Sequence, residues 1–152
     1  MSLLKRVRDL AWNGFTDAHI AAYRVTGGRI GGTFRGVDTL LLDHVGRRSG
    51  KKRTNPLYYV ADGEDLVIVA SRGGSHKHPA WWLNLRNSPR TTVQVGSERR
   101  EVVARQADDE ERARLWPRLV EAWPDYEAYQ RRTERRIPVI VLSPASHAGA
   151  GA

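Results

Sequence analysis

The sequence predicts an α+β fold, a barrel-like sheet of about six mostly antiparallel strands with flanking helices. Short β-branched or alternating runs recur through the middle of the chain. Tight-turn signals separate them closely, which favours hairpins over crossover connections. Helical periodicity is confined to a leading segment, a short piece after Pro79 and a stretch after Asp108.

Along residues 3–23, Leu3, Leu4, Val7, Leu10, Ala11, Phe15 and Ala18 recur at helical spacing, with Lys5, Arg6 and Arg8 on the opposite side. Such a helix packs on the domain or, with its apolar face free, makes peripheral contact with a membrane. Gly27, Gly28, Gly31 and Gly32 then break the pattern. Residues 39–45 and 54–60 read as strands around a basic turn, and Asp62-Gly63 leads into a third strand at 66–70. Pro79 opens a short helix carrying Trp81, Trp82, Leu83 and Leu85, which ends before Pro89. Residues 91–95 and 98–105 form a further hairpin around Gly96-Ser97. Asp108 and Glu111 form a capping pair at the head of a helix bearing Ala113, Leu115, Trp116, Leu119 and Val120, although Pro117 argues for an interruption. A second helical piece at 126–133 precedes the last strand at 137–142. This divides the chain into a leading helix and glycine-rich linker (1–36), a sheet domain (37–144) and a disordered tail (145–152).

A chain of 152 residues, 40% of them hydrophobic, suits one domain with an ordinary core. The absence of Cys excludes a disulfide framework, a thiolate metal site and a Cys nucleophile. The charged leading segment leaves no signal-peptide core and no window near the ~20 apolar residues of a spanning helix, so the expected location is cytoplasmic, or peripheral on the inner face of the membrane. A net charge of +8 and a pI of about 10.4 attract something anionic, whether nucleic acid, membrane surface or a small polyanion.

Gly46-Arg47-Arg48-Ser49-Gly50-Lys51-Lys52-Arg53 concentrates five cationic side chains at a hairpin tip, where guanidinium forks and backbone N–H groups suit phosphate or carboxylate. It is no nucleotide P-loop, since a strand follows it, and the glycines at 27–32 lack the preceding strand of a dinucleotide fingerprint. His76 and His78 lack a third ligand nearby, so no metal is expected. The Ser residues lie in turns without a nucleophile elbow. Ser71-Arg72-Gly73-Gly74 ends a buried-looking strand, and Tyr126 and Tyr129 share a helix face with Trp123 one turn earlier. The residues thus describe a basic, aromatic-lined site in which an organic cofactor carries any chemistry.

Four stretches, 46–57, Ala70-Ser71-Arg72-Gly73-Gly74, His78-Pro79-Ala80-Trp81-Trp82-Leu83-Asn84-Leu85 and 124–133, are in this order similar to the deazaflavin (F420)-dependent nitroreductase family, whose branches include F420H2-dependent quinone reductases. The likeness runs from about Tyr23 to Pro144. It implies an FMN-binding-like split β-barrel and coenzyme F420, which delivers hydride to a quinone or nitroaromatic acceptor. By position it assigns Arg47, Arg48, Ser49 and Arg53 to the groove for the cofactor's acidic tail. Pro56, Leu57 and Tyr58 then flank the ring, with Ala70, Ser71, Arg72, Gly73 and Gly74 also lining the cofactor site. Trp81, Trp123, Tyr126 and Tyr129 correspond to the acceptor pocket, and Ser71, Tyr126 and Tyr129 to catalytic positions, Ser71 and Tyr126 as donors to the acceptor oxygen. Arg48 and Arg72 stand where the family often has Lys, and Trp123 where close relatives can carry Tyr. FMN is the rival cofactor and a non-catalytic F420 carrier the rival role; no nucleic-acid module is visible.

Overall fold

The computed structural model describes residues 17–34 and 36–146, apart from the Phe34 side chain. Among these, eight strands form one antiparallel sheet: β1 (Thr33–Phe34), β2 (Val37–Val45), β3 (Lys52–Tyr58), β4 (Val60–Asp62), β5 (Asp65–Val69), β6 (Arg90–Val95), β7 (Glu98–Gln106) and β8 (Val139–Pro144). Six are the strands expected from sequence; β1 and β4, two and three residues long, are too short to leave a periodic signal. The path runs β1-β2-β6-β7-β8-β5-β4, with β3 paired to β2. Only Tyr59 separates β3, paired to β2 near one end of this order, from β4 at the other end, so the sheet curls into a split β-barrel. The single strand expected at 54–60 divides there: the Tyr59 N–H still follows the β2–β3 register to the Asp38 carbonyl at 3.0 Å, whereas Val60 pairs with Val67 of β5.

Side-chain alternation places the core on both faces of the central strands. Leu66 and Ile68 of β5 and Ile140 and Leu142 of β8 point into the barrel with Leu40, Leu42, Val93 and Val102. Helix α2 (Ala80–Asn87) adds Trp81, Trp82 and Leu85 to that interior. The alternate residues Val67, Val69, Val139 and Val141 face outward, beneath Leu115 and Leu119 of α3 (Asp109–Ala122) and Tyr126 of α4 (Asp125–Arg131). Burial on both faces is why β5 and β8 read as continuous apolar runs.

Residues 17–26 form helix α1, which runs past its expected end near Tyr23. Buried Tyr23 latches it to the sheet: its hydroxyl lies 3.0 Å from the Thr39 carbonyl and 3.2 Å from that of Gln94, and accepts the Gly96 N–H at 2.8 Å. Residues 1–16, including most of the predicted amphipathic helix and its Lys5, Arg6 and Arg8 face, lie outside the described residues, as do 147–152. No described helix is long and apolar enough to cross a membrane.

Asp108 caps α3 as predicted, its carboxylate accepting the Glu111 N–H at 2.8 Å. The Glu111 carboxylate does not reach back; Arg105 takes both its oxygens at 2.6 and 2.9 Å. Pro117 does not interrupt α3, because it lies on the exposed side while Leu115 and Leu119 stay packed opposite.

Candidate functional site

The β2–β3 hairpin is closed at its tip by Gly46 N–H to the Lys51 carbonyl (2.9 Å), Gly50 N–H to the Gly46 carbonyl (2.8 Å) and Lys51 N–H to the Ser49 hydroxyl (3.2 Å). Arg47, Arg48, Ser49, Lys51, Lys52 and Arg53 are all exposed on it. Arg47 is also tied down from within. Its N–H and its guanidinium donate to the side-chain oxygen of Asn84 on α2, at 3.1 and 3.4 Å. The Asn84 amide meets His44 Nδ1 at 2.9 Å, and His44 Nε2 meets the Asn55 side-chain oxygen at 2.7 Å. Asn84 and His44 are both 3% exposed. Burial pushes the His44 imidazole below its ordinary range, a trend that the Asn55 bond opposes, Arg53 reinforces and Asp43 opposes.

A second wall follows β5, where Arg72–Gly74 form a single 3-10 turn. Ser71 is right-handed (φ −83°, ψ −38°), and Arg72 adopts φ +46°, in the left-handed region that a non-glycine residue enters at a cost of about 1–2 kcal/mol. A right-handed residue followed by a left-handed one turns successive N–H groups to one side, a hollow suited to an anion. Arg135 clamps this turn: its guanidinium donates to the Ala70 carbonyl at 3.2 Å from both terminal nitrogens, to Ser71 at 2.9 Å and to Ser75 at 2.8 Å. His78 Nδ1 lies 3.2 Å from the same guanidinium; burial, then Arg135 and Arg86, push its pKa down, so it stays a neutral acceptor. Gln130 of α4 holds the Arg135 carbonyl at 2.8 Å, and Arg112 holds Gln130 at 3.1 Å.

The third wall is aromatic. Tyr58 and Trp123 stack with ring centroids 4.6 Å apart, and Tyr126 meets Tyr129 edge-on at 6.1 Å and Trp116 at 6.4 Å. Tyr58, Val60, Leu119, Trp123 and Tyr126 line a narrow crevice between the β3–β4 corner and the α3–α4 corner. Tyr126 is 6% exposed, and burial, aided by the nearby Tyr58 and Tyr129, drives its pKa strongly upward. Its phenol therefore keeps its O–H, a hydrogen-bond donor.

Gly74 brings the second and third walls together. It adopts φ +84°, and a Cβ there would lie 2.7 Å from the Tyr129 carbonyl oxygen, so its bare backbone lets α4 rest on the Ser71–Gly74 turn. Arg132 adds a hydrogen bond to the Gly73 carbonyl at 3.3 Å. Pro56 and Leu57 lie on β3, opposite Leu41 and Leu40; β3 is paired on one side only, which is how it tolerates Pro56. Trp81 stands apart from the other aromatic candidates: it packs in the barrel interior, whereas Tyr126, Tyr129 and Trp123 belong to the outer cluster.

The exposed hairpin cations suit an anionic ligand, and comparison with known proteins decides the family. The sequence profile of the F420H(2)-dependent quinone reductases matches residues 16–144. The chain belongs to that family. A Mycobacterium tuberculosis relative is 49% identical over 117 residues, covering 76% of this chain and 98% of the relative. The F420H(2)-dependent quinone reductase Rv1261c of the same organism is 42% identical over 129 residues, covering 82% of this chain and 87% of its own. The solved F420-H2 dependent reductase FDR-A superposes with a TM-score of 0.64 at 40% identity, over 69% of this chain and 93% of that one. This reductase is therefore an F420H2-dependent oxidoreductase of the quinone-reducing kind, with coenzyme F420 as its cofactor.

Sequence reasoning missed the residues that hold the reductase's walls in place, namely Asn84, His44, Asn55, Arg135 and Gln130. One signal was present: Asn84 sits three residues after Trp81 and one before Leu85, a polar residue on the buried side of an apolar helix. Nothing local marks Arg135 as a clamp, because the partners of its guanidinium lie more than 55 residues away.

Proposed function

We propose that Arg47, Arg48 and Arg53, with Ser49, grip the acidic tail of F420. Pro56, Leu57 and Tyr58 border its ring, and Ala70, Ser71, Arg72, Gly73 and Gly74 line the rest of its site. When bound, the reduced cofactor supplies a hydride to a quinone, or to a nitroaromatic of similar shape. The reductase's own residues bind, orient and donate. The hairpin cations neutralise carboxylates and phosphate through charge-assisted bonds. The Tyr126 phenol, kept protonated by burial, and the Ser71 hydroxyl donate to the acceptor oxygen as negative charge grows on it. Tyr129 and Trp123 enclose the acceptor with Tyr126, and Trp81 supports the site from the barrel side.

The observation that carries this reading is the seating of α4, which bears Tyr126 and Tyr129, on the Ser71–Gly74 turn. Calorimetric titration tests it. F420 binds the wild type more tightly than FMN does, and Arg47→Ala and Arg53→Ala each lose about 1–3 kcal/mol of F420 affinity. Unaltered dissociation constants in both variants place the groove elsewhere.

A further inference from the structure

We propose that Asn84 is a positioning residue for the cofactor groove, its carboxamide oriented by His44 so that Arg47 is held where it can grip a polyanionic tail. The inference rests on the assignment of Arg47 to that groove. The logic of donors and acceptors allows one arrangement. The Arg47 N–H can only donate, so Asn84 turns its oxygen to it. The Asn84 amide then faces His44 Nδ1, which must be a bare acceptor, and the ring proton sits on Nε2 and goes to the Asn55 oxygen. Each link dictates the next, and a mismatched pair at this depth is costly.

Protonation of His44 breaks the arrangement. Both ring nitrogens then carry hydrogen, and Asn84 either sets N–H against N–H or flips its oxygen to His44 and abandons Arg47. The charged groups around His44 are Asp43 beside it on β2, Arg53 opposite it on β3, Arg47 on the hairpin and, on α2 beyond Asn84, Arg86. Asp43 favours the charged ring and Arg53 opposes it, while burial holds the ring neutral near neutral pH. Arg47 itself is exposed, so its other guanidinium donors remain available to a ligand. The grip on F420 therefore weakens as pH falls below the ordinary imidazole range.

Wild type, Asn84→Ala and Asn84→Asp are titrated calorimetrically with F420 from about pH 5 to 8, spanning the histidine range. Comparison at equal pH cancels the ligand's own ionisation. Asn84→Ala binds about tenfold more weakly at neutral pH, the worth of one hydrogen bond to a charged group. The near-isosteric Asn84→Asp offers one oxygen to Arg47 and the other to protonated His44, so the wild type's loss of affinity on the acid side flattens. A role in packing alone leaves that profile unmoved, and Asn84→Asp decides the matter if Asn84→Ala does not fold. If the wild type binds F420 and both variants reproduce its affinity and pH profile, the positioning role is overturned and the functional reading stands. A wild type that does not bind F420 overturns both.

Discussion

Replacing Gly74 by Ala tests the junction on which the site depends. The added Cβ would sit 2.7 Å from the Tyr129 carbonyl oxygen, 2.9 Å from Tyr129 Cα and 3.1 Å from Arg132 Cβ. The first two are backbone atoms of α4, so relief requires the helix to retreat. Alanine at φ +84° costs about 1–2 kcal/mol and the overpacking about 1–3 kcal/mol more, offset by about 0.5 kcal/mol from a less flexible unfolded chain. The expected loss is about 2–4 kcal/mol, a large part of the ~5–15 kcal/mol typical of a domain. Gly73→Ala is the internal control. Gly73 has φ +63° but nothing within 4 Å of its Cβ position, so it pays the conformational cost alone. Urea denaturation measures both variants, read as a shift of midpoint at constant slope. Turnover with F420H2 and menadione should fall in Gly74→Ala, because Tyr126 and Tyr129 move away from Ser71. A Gly74→Ala variant no less stable than Gly73→Ala refutes the claim that α4 rests on this turn.

Tyr126→Phe should lower kcat/KM for menadione about 100-fold, the usual worth of one donor aimed at developing charge, while F420 affinity measured by calorimetry hardly changes. Arg135→Met should cost about 2–4 kcal/mol in thermal or chemical unfolding by leaving the carbonyls of Ala70 and Ser75 without their side-chain donor, while Ser71 keeps only the Gly74 N–H; Arg135→Lys, a single ammonium, should recover little of it. Asp62, bound by Arg114 and Arg118, has its carboxyl pKa lowered chiefly by the Arg114 hydrogen bond. A lowered folded-state pKa stabilises above the unfolded value and is lost as pH falls through the folded one. Wild type should therefore melt above Asp62→Asn at neutral pH, the difference closing as pH drops below the usual carboxylate range.

Much of this protein was legible one residue at a time. The six long strands, the cap at Asp108, the Asp62-Gly63 turn and the basic hairpin are local matters, decided by side-chain period, by turn chemistry or by a run of like charges. The four motif stretches were enough to point to a deazaflavin reductase, because spacing within each is kept by the loop or helix that carries it. Pro117 misled because its effect depends on which side of α3 faces the core, and that is a property of packing.

What tertiary structure alone decided is how those pieces are held against one another. The chain lists Arg47, His44, Asn55 and Asn84 as unrelated residues on two strands, a turn and a helix; only barrel closure stacks them into one directed set of hydrogen bonds. Arg135 becomes a clamp, and Gly74 a seat for α4, only when the connection before β8 returns to the end of β5. Local sequence sets what a segment can form at low cost, but contacts between residues 40 to 65 positions apart depend on how the whole sheet closes, which no short window of sequence contains.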